Sequence, residues 1–268
     1  MPVQHSIPVI LCFSGLDSTG GAGIQADIES ILSMGCHAAP VATALTIQDT
    51  SSVIDYQPVD ANWFEQQART VLFDMPVAAI KIGMLAEPEI VKPIANILKD
   101  FPDIPVVLDP VLSAGGGGSL SSPELIDAIV KQLLPHITLI TPNVQETRLL
   151  SANIEDSDDA AKYLMRQGCA NVLITAADEK TEHVDNRFYS KGQLVETFTY
   201  ERLPHHYHGS GCTLAASTAA LLAQGLEPFT AAHEAQEFTW ESLKHAYRIG
   251  NGQWIPNRLF WAREDQIP

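Results

Sequence analysis

Positive charge is scarce in this chain. Lysine and arginine together number 16 of 268 residues against 32 acidic ones, for a formal charge of −16. A field of that sign repels nucleic acid and anionic membranes, so neither is an expected partner. A phosphate ligand would have to be held locally, by helix N-termini, backbone N–H nests or a bridging divalent cation. Cysteine is sparse as well. Cys12, Cys36, Cys169 and Cys212 lie far apart and form no C-x-x-C pair, so neither a zinc site nor a disulfide framework is expected. No apolar stretch approaches the ~20 residues of a membrane span. The opening MPVQHSIPVILCFSG has no basic n-region and too short an apolar run for a signal sequence. The expectation is a soluble, cytoplasmic protein in a reducing compartment, with residues 1–268 forming one large α/β domain.

Against these absences stands a regular alternation of short apolar runs and helical patterns. Strands are expected at Ile7 to Ser14, His37 to Ile47, Ser52 to Val59, Ala78 to Leu85, Pro105 to Leu112, Ile137 to Asn143 and Val172 to Thr175. Arg187 to Tyr189 and Leu194 to Thr199 read as a hairpin around Lys191-Gly192. Helices are expected at Ile24 to Met34, Trp63 to Leu72, Pro88 to Leu98, around Glu146, from Gly209 to Gln224, and at Phe229 to Tyr247. Such alternation predicts a mostly parallel sheet flanked by helices. Asn153 to Asp159 reads as an acidic, solvated loop without EF-hand spacing.

The stretch HGSGCTLAASTAALLAQ, His208 to Gln224, is the strongest local signal. Gly209, Ser210 and Gly211 bring bare N–H groups to the start of a small-residue helix, where unpaired donors and the positive end of the dipole suit an anion. Cys212 lies in the first turn, where the same field favours thiolate; a nucleophile, a base and a buried plug are all open to it. A second glycine-rich loop, Gly15 to Gly23, follows the first strand. Gly21 to Ala26 inside it fits G-x-G-x-x-A, but sits too far past the strand for a dinucleotide fingerprint and lacks the later acid.

Polar residues recur at strand ends, where open α/β sheets bind ligands. Gln48 offers a donor and an acceptor side by side, as a flat heterocycle requires. Met84 can be core or the floor beneath an aromatic ring. Asp109 ends a strand before Pro110, and Asn143 with Glu146 can be a helix-capping pair or a hard-cation site. Gly115 to Gly118 can be a flap or a linker. His205-His206-Tyr207-His208 lacks ligand spacing and reads as structural or surface rather than metal-binding.

Taken together, Asp17 with GGAGIQAD (Gly20 to Asp27), TALTIQDT (Thr43 to Thr50), KIGML (Lys81 to Leu85), VLDPV (Val107 to Val111), TPNVQET (Thr141 to Thr147) and HGSGCTLAAS (His208 to Ser217) resemble one family. It is the hydroxymethylpyrimidine/phosphomethylpyrimidine kinases of thiamine biosynthesis, within the ribokinase-like small-molecule kinases. The resemblance spans nearly the whole chain. It implies an α/β, ribokinase-like three-layer sandwich whose mostly parallel central sheet is flanked by helices, with substrate at the sheet's C-terminal edge. It also implies ATP and Mg2+ as cofactors and a homodimer. By motif, the pyrimidine would lie among Gly15, Asp17, Ala22, Asp27, Gln48 and Met84, with Gln48 making the polar contact. Thr175, Ala177, Gly209 and Gly211 would hold the nucleotide, and Asp109, Asn143 and Glu146 would organise magnesium. Gly209, Ser210, Gly211 and Cys212 would form the anion hole, with Cys212 accepting or relaying the hydroxyl proton. The implied reaction is ATP-dependent phosphorylation of 4-amino-5-hydroxymethyl-2-methylpyrimidine, then of its monophosphate.

The chain departs from the family pattern in two places. Ser113-Ala114-Gly115-Gly116 has glycine where many members carry lysine, and Ile174-Thr175-Ala176-Ala177-Asp178 replaces a lysine-containing segment. Both losses remove phosphate-facing charge and bear most on the second transfer. The rival readings are a pyridoxal or pyridoxine kinase of the same fold, a non-catalytic pyrimidine or nucleotide sensor, and a dehydrogenase built on Gly21 to Ala26.

Overall fold

Period-two alternation along the first strand sets up two cores at once. In this computed structural model, which describes residues 7–113 and 120–263, β1 (Val9–Leu16) sends Leu11 and Phe13 to one side and Ile10 and Cys12 to the other. All of these are fully buried. A strand apolar on both faces belongs inside a parallel sheet with helices on either side. The others are β2 (His37–Gln48), β3 (Val53–Pro58), β4 (Val77–Ile82), β5 (Val106–Leu108), β6 (Leu139–Ile140), β7 (Asn171–Ile174), β8 (His183–Ser190) and β9 (Gln193–Glu201). They form one nine-stranded sheet in the order β3-β2-β1-β4-β5-β6-β7-β8-β9. Strands β2, β1, β4, β5, β6 and β7 run parallel, and β3, β8 and β9 add antiparallel edges.

The helices are α1 (Gly23–Ser33), α2 (Ala61–Asp74), α3 (Val91–Asp100), α4 (Pro123–Ala128), α5 (Val144–Leu150), α6 (Ser157–Arg166), α7 (Ser210–Ala223) and α8 (Pro228–Lys244). Residues of α1, α7 and α8 pack with Ile10, Cys12, Val107, Leu139 and Leu173. Those of α2 to α6 pack with Leu11, Phe13, Ile80, Ile82, Leu108 and Ile140 on the other face. The expected three-layer sandwich is therefore present. Ala215, Ala216, Ala219 and Ala220 are all fully buried in α7, and their small size lets that helix lie close over the sheet. Among the described residues, no helix is long and apolar enough to cross a membrane.

Three expectations change. The strands expected at Pro105 to Leu112 and Ile137 to Asn143 stop early, at Leu108 and Ile140. Pro110 and Pro142 have no N–H to continue a ladder, so Asp109 and Asn143 stand just past strand ends. The acidic stretch Asn153 to Asp159 is not all loop, because Asp156 caps α6 by accepting from Asp159 N–H, and the acids of the first turn suit the helix's positive end. Helix α4, capped by Ser122, was not expected at all. The glycine run Gly115 to Gly118 lies outside the described residues.

Candidate active site

Because β1, β4, β5, β6 and β7 are parallel, their C-terminal ends deliver Gly15, Met84, Asp109, Asn143 and Thr175 to one edge of the sheet. A Cβ on Gly15 would meet Met84 Sδ at 3.2 Å, so this pair shares one surface. Met84 packs with Ala44, Ala86 and Leu120, and its carbonyl accepts from the buried Thr43 hydroxyl. Gln48 Nε2 donates to Thr46 Oγ1 at 2.7 Å, and Gln48 lines a small cavity with Asp49, Ser52, Val53, His208 and Gln253. The ring-pocket residues expected from sequence thus lie around the ends of β1, β2 and β4.

The Asp17 carboxylate, expected at the substrate, is engaged within its own loop. It accepts from Thr19 N–H and Oγ1 at 2.8 Å, from Ala22 N–H at 2.8 Å, and pairs with His208 Nε2 at 2.9 Å. Its acceptors are spent shaping the glycine loop and tying it to the residue before Gly209. Burial pushes its pKa up, but the His208, Thr19 and Ala22 hydrogen bonds outweigh burial and hold it below the usual range. A depressed carboxyl stabilises the fold above its unfolded pKa, near ~3.9, and that contribution is lost as pH falls through the lower folded value. Asp17→Asn is expected to destabilise the protein by about 1.5–3 kcal/mol at neutral pH, the scale of hydrogen bonds to a charged group. In denaturant titrations the gap to wild type should close toward strong acid; a gap independent of pH would rule out the charged role.

Asp27, the other acid expected at the substrate, is fully buried beneath the loop. Lys81 Nζ lies 2.8 Å from its Oδ1 and 3.0 Å from Ser14 Oγ, and Ser14 donates to Asp27 Oδ2. With both oxygens engaged and no exposure, Asp27 supports the site from below. Burial pulls the Lys81 ammonium down, but Asp27, Cys212 and Asp109 outweigh it and hold the pKa well above the usual lysine value.

Gly209 to Cys212 open α7, as the small-residue pattern predicts. Gly209 caps α7 at φ 84°, a left-handed conformation that favours glycine, and a Cβ there would collide with Gly21 O. Gly211 packs against Asp109, and a Cβ on it would be 3.6 Å from Asp109 Oδ1. Gly23, the first residue of α1, lies close to the Cys212 sulfur, so two helix entrances meet at this thiol. The sequence suggested a thiolate. Instead burial pushes the thiol up to about 12, with Asp109 and Asp27 adding to the rise and Lys81 only partly opposing it. The thiol lies beside the Asp109 carboxyl, whose own pKa burial raises. The dipole was legible from sequence, whereas the desolvation was not.

Asn143 and Glu146 form a complete capping box. Asn143 Oδ1 accepts from Glu146 N–H at 2.8 Å, and Glu146 Oε2 accepts from Asn143 N–H at 3.0 Å. Glu146 Oε1 accepts from Leu112 N–H at 3.2 Å. Among the described residues, no group of three or more His, Cys, Asp or Glu side chains could hold a metal by themselves. Magnesium, however, is commonly held by one or two carboxylates plus substrate phosphates and water. The residues fit that mode: Asp109 Oδ2 is buried with no hydrogen-bond partner, and burial followed by Asp109 pushes Glu146 up to about 8, a repulsion a cation would relieve. Thr175 bridges to Asn143 beside them, and Ala177 is exposed just beyond, with its carbonyl accepting from Arg202.

His208 and His205 bear out a structural reading of the histidine cluster, the first through Asp17 and the second stacked on Trp254 with centroids 4.0 Å apart. Two buried cations escaped the sequence reading. Lys81 registered only as a break in an apolar strand, although a lysine there signals a buried charge in need of a partner. Arg258 gave no signal; it is 1% exposed and spans the two glycine loops.

Residues 17–257 match the family model described as phosphomethylpyrimidine kinase. The hydroxymethylpyrimidine/phosphomethylpyrimidine kinase of Haemophilus influenzae is 33% identical, with 97% of this chain and all of that protein covered. Among solved structures, the pyridoxal kinase of Staphylococcus aureus in complex with ADP superposes with a TM-score of 0.88 at 29% identity, covering 97% of this chain and 96% of that one. The phosphomethylpyrimidine kinase of Clostridium difficile superposes with a TM-score of 0.76 at 29% identity, covering 88% and 99%.

Proposed function

The chain belongs to the phosphomethylpyrimidine kinase family, and from that premise we propose that it moves the γ-phosphoryl group of ATP onto the hydroxymethyl oxygen of 4-amino-5-hydroxymethyl-2-methylpyrimidine. A second transfer, to the monophosphate, follows in the same site. What supports this reading is that the parallel strands bring Gly15, Met84, Asp109 and Asn143 to one sheet edge, where Asp109 meets Gly211 at the entrance of α7. Residues 1–268 act as one kinase domain in the cytoplasm. Leu16 and Leu45, paired across β1 and β2, are exposed apolar side chains, as is Ile47, a surface that a second copy would cover in a homodimer.

Phosphoryl transfer asks the protein for position and charge compensation rather than covalent chemistry. The N–H groups of Gly209 to Cys212 face the transferring phosphate, Met84 and Gly15 support the ring, and Gln48 reads its edge. Thr175 and Ala177 lie along the nucleotide, where the family's lysine is missing, so the second transfer is the slower one. Asp109 and Glu146 would hold magnesium, which would supply positive charge against that of the transferring phosphate. Cys212 keeps its proton at neutral pH, given a thiol near 12. Its sulfur holds the substrate hydroxyl in line, and in a loose transition state the oxygen need not be deprotonated first. Cys212→Ala is expected to lower kcat about 100-fold, the cost of letting the reacting hydroxyl drift by about 1 Å. A kcat within about threefold of wild type would leave the residue only a plug.

Mass spectrometry of products from the pyrimidine alcohol and Mg-ATP reads the substrate and the number of transfers together. A diphosphate is expected; tight binding without ADP release would instead mark a sensor. The likeness to the Staphylococcus aureus pyridoxal kinase gives a second reading, and preferential turnover of pyridoxal or pyridoxine in direct competition would install it.

A further inference from the structure

The chain after α8 folds back over both glycine loops. Gln253 N–H donates to Thr50 O at 2.8 Å, Trp254 N–H to His206 O at 2.9 Å, and His208 N–H to Trp254 O at 2.9 Å, directly before the anion loop. The arm then turns inward at Arg258. Its Nη2 donates to Gly21 O at 2.5 Å, in the substrate loop, and its Nε to Thr213 Oγ1 at 2.8 Å, in the first turn of α7. The Thr213 hydroxyl in turn donates to Gly209 O at 2.8 Å. Nη1 meets Glu29 Oε2 at 3.1 Å, and Ser33 Oγ donates to the Arg258 carbonyl at 2.6 Å, both on α1.

We propose that Arg258 is a positioning residue for phosphoryl transfer, setting the distance between the loop that carries the pyrimidine and the loop that anchors the phosphate. The inference rests on the kinase reading above. Fold stability alone gives little reason for this residue, because a buried guanidinium carries a desolvation penalty that a well-packed apolar side chain avoids. What an apolar side chain lacks is the planar fork, which reaches a carbonyl of one loop and a hydroxyl of the other at fixed angles. Neither partner is a charge, so the geometry of the fork is the distinguishing property.

The test is steady-state kinetics with melting temperatures for wild type, Arg258→Met, Arg258→Lys and Glu29→Gln, each with and without millimolar guanidinium. Misplacing reacting groups by about 1 Å can cost about 100-fold, so Arg258→Met is expected to lose about 100-fold in kcat. Substrate KM values should stay within about threefold. Arg258→Lys, which keeps the charge but cannot span both loops, should lose about 10-fold, and it carries the test if Arg258→Met does not fold. Guanidinium should restore part of the kcat of Arg258→Met without restoring its melting temperature. Glu29→Gln, which breaks only the ion pair, should keep kcat within about twofold. The proposal is overturned if Arg258→Met and Arg258→Lys both turn over like wild type, if kcat loss follows melting temperature across the set, or if guanidinium restores nothing. Absence of turnover by the wild type would instead overturn the kinase reading.

Discussion

Gly209→Ala is expected to reduce turnover by about 1,000-fold, the upper range for removing a preorganised oxyanion donor. The residue sits at φ 84°, and a side chain there would strike Gly21 O, with Arg258 Nη2 2.8 Å away. Backbone strain alone accounts for about 1–2 kcal/mol, too little for such a loss. The larger part comes from displacement: Gly21 O and Arg258 cannot retreat without opening the contact between the two loops. The amides of Ser210, Gly211 and Cys212 would then aim away from the point where phosphate charge develops. Steady-state kinetics checked against circular dichroism measures this directly. A folded variant retaining more than about a tenth of wild-type kcat would mean that the phosphate is anchored elsewhere.

Lys81→Met should act on stability before it acts on rate. Lys81 and Asp27 are both fully buried, and removing one partner leaves an uncompensated carboxylate in the interior, a change that costs about 3–5 kcal/mol. Cys212 and Asp109 share the same surroundings, so acidic groups would be left without the cation that offsets them. The double variant Lys81→Met/Asp27→Leu removes both charges and should recover most of the loss, since apolar replacement of a buried pair is often near neutral. Urea denaturation of the single and double variants gives the comparison. If the double variant is no more stable than the single one, the pair does not act as a unit.

The parts of this molecule legible in sequence are those set by local pattern. β1 shows itself by a short continuous apolar run ending in glycine, α7 by small residues after Gly-Ser-Gly, and the hairpin of β8 and β9 by Lys191-Gly192. Gly15, Gln48, Met84 and Cys212 were singled out for the same reason, as glycines or polar and soft groups at element ends. Asp17 and Asp27 show where pattern fails. Asp17 stands in the glycine loop and Asp27 in the helix that follows it, but only three-dimensional partners reveal that one shapes the loop and the other neutralises Lys81. Cys212 shows the same limit in energetics, because a helix entrance is visible in sequence and the neighbouring Asp109 and Asp27 are not. Arg258 is the extreme case, with its carbonyl partner Gly21 lying 237 residues away.

The reading depends above all on neutral main-chain amides, rather than basic side chains, gripping the transferred phosphate. A crystal structure with Mg2+, a non-hydrolysable ATP analogue and the pyrimidine alcohol tests this most directly. The γ-phosphate should lie within hydrogen-bonding distance of N–H groups between Gly209 and Cys212, with the hydroxymethyl oxygen between it and the Gly15 and Met84 pocket. A γ-phosphate held by lysine or arginine side chains away from the α7 entrance would contradict it.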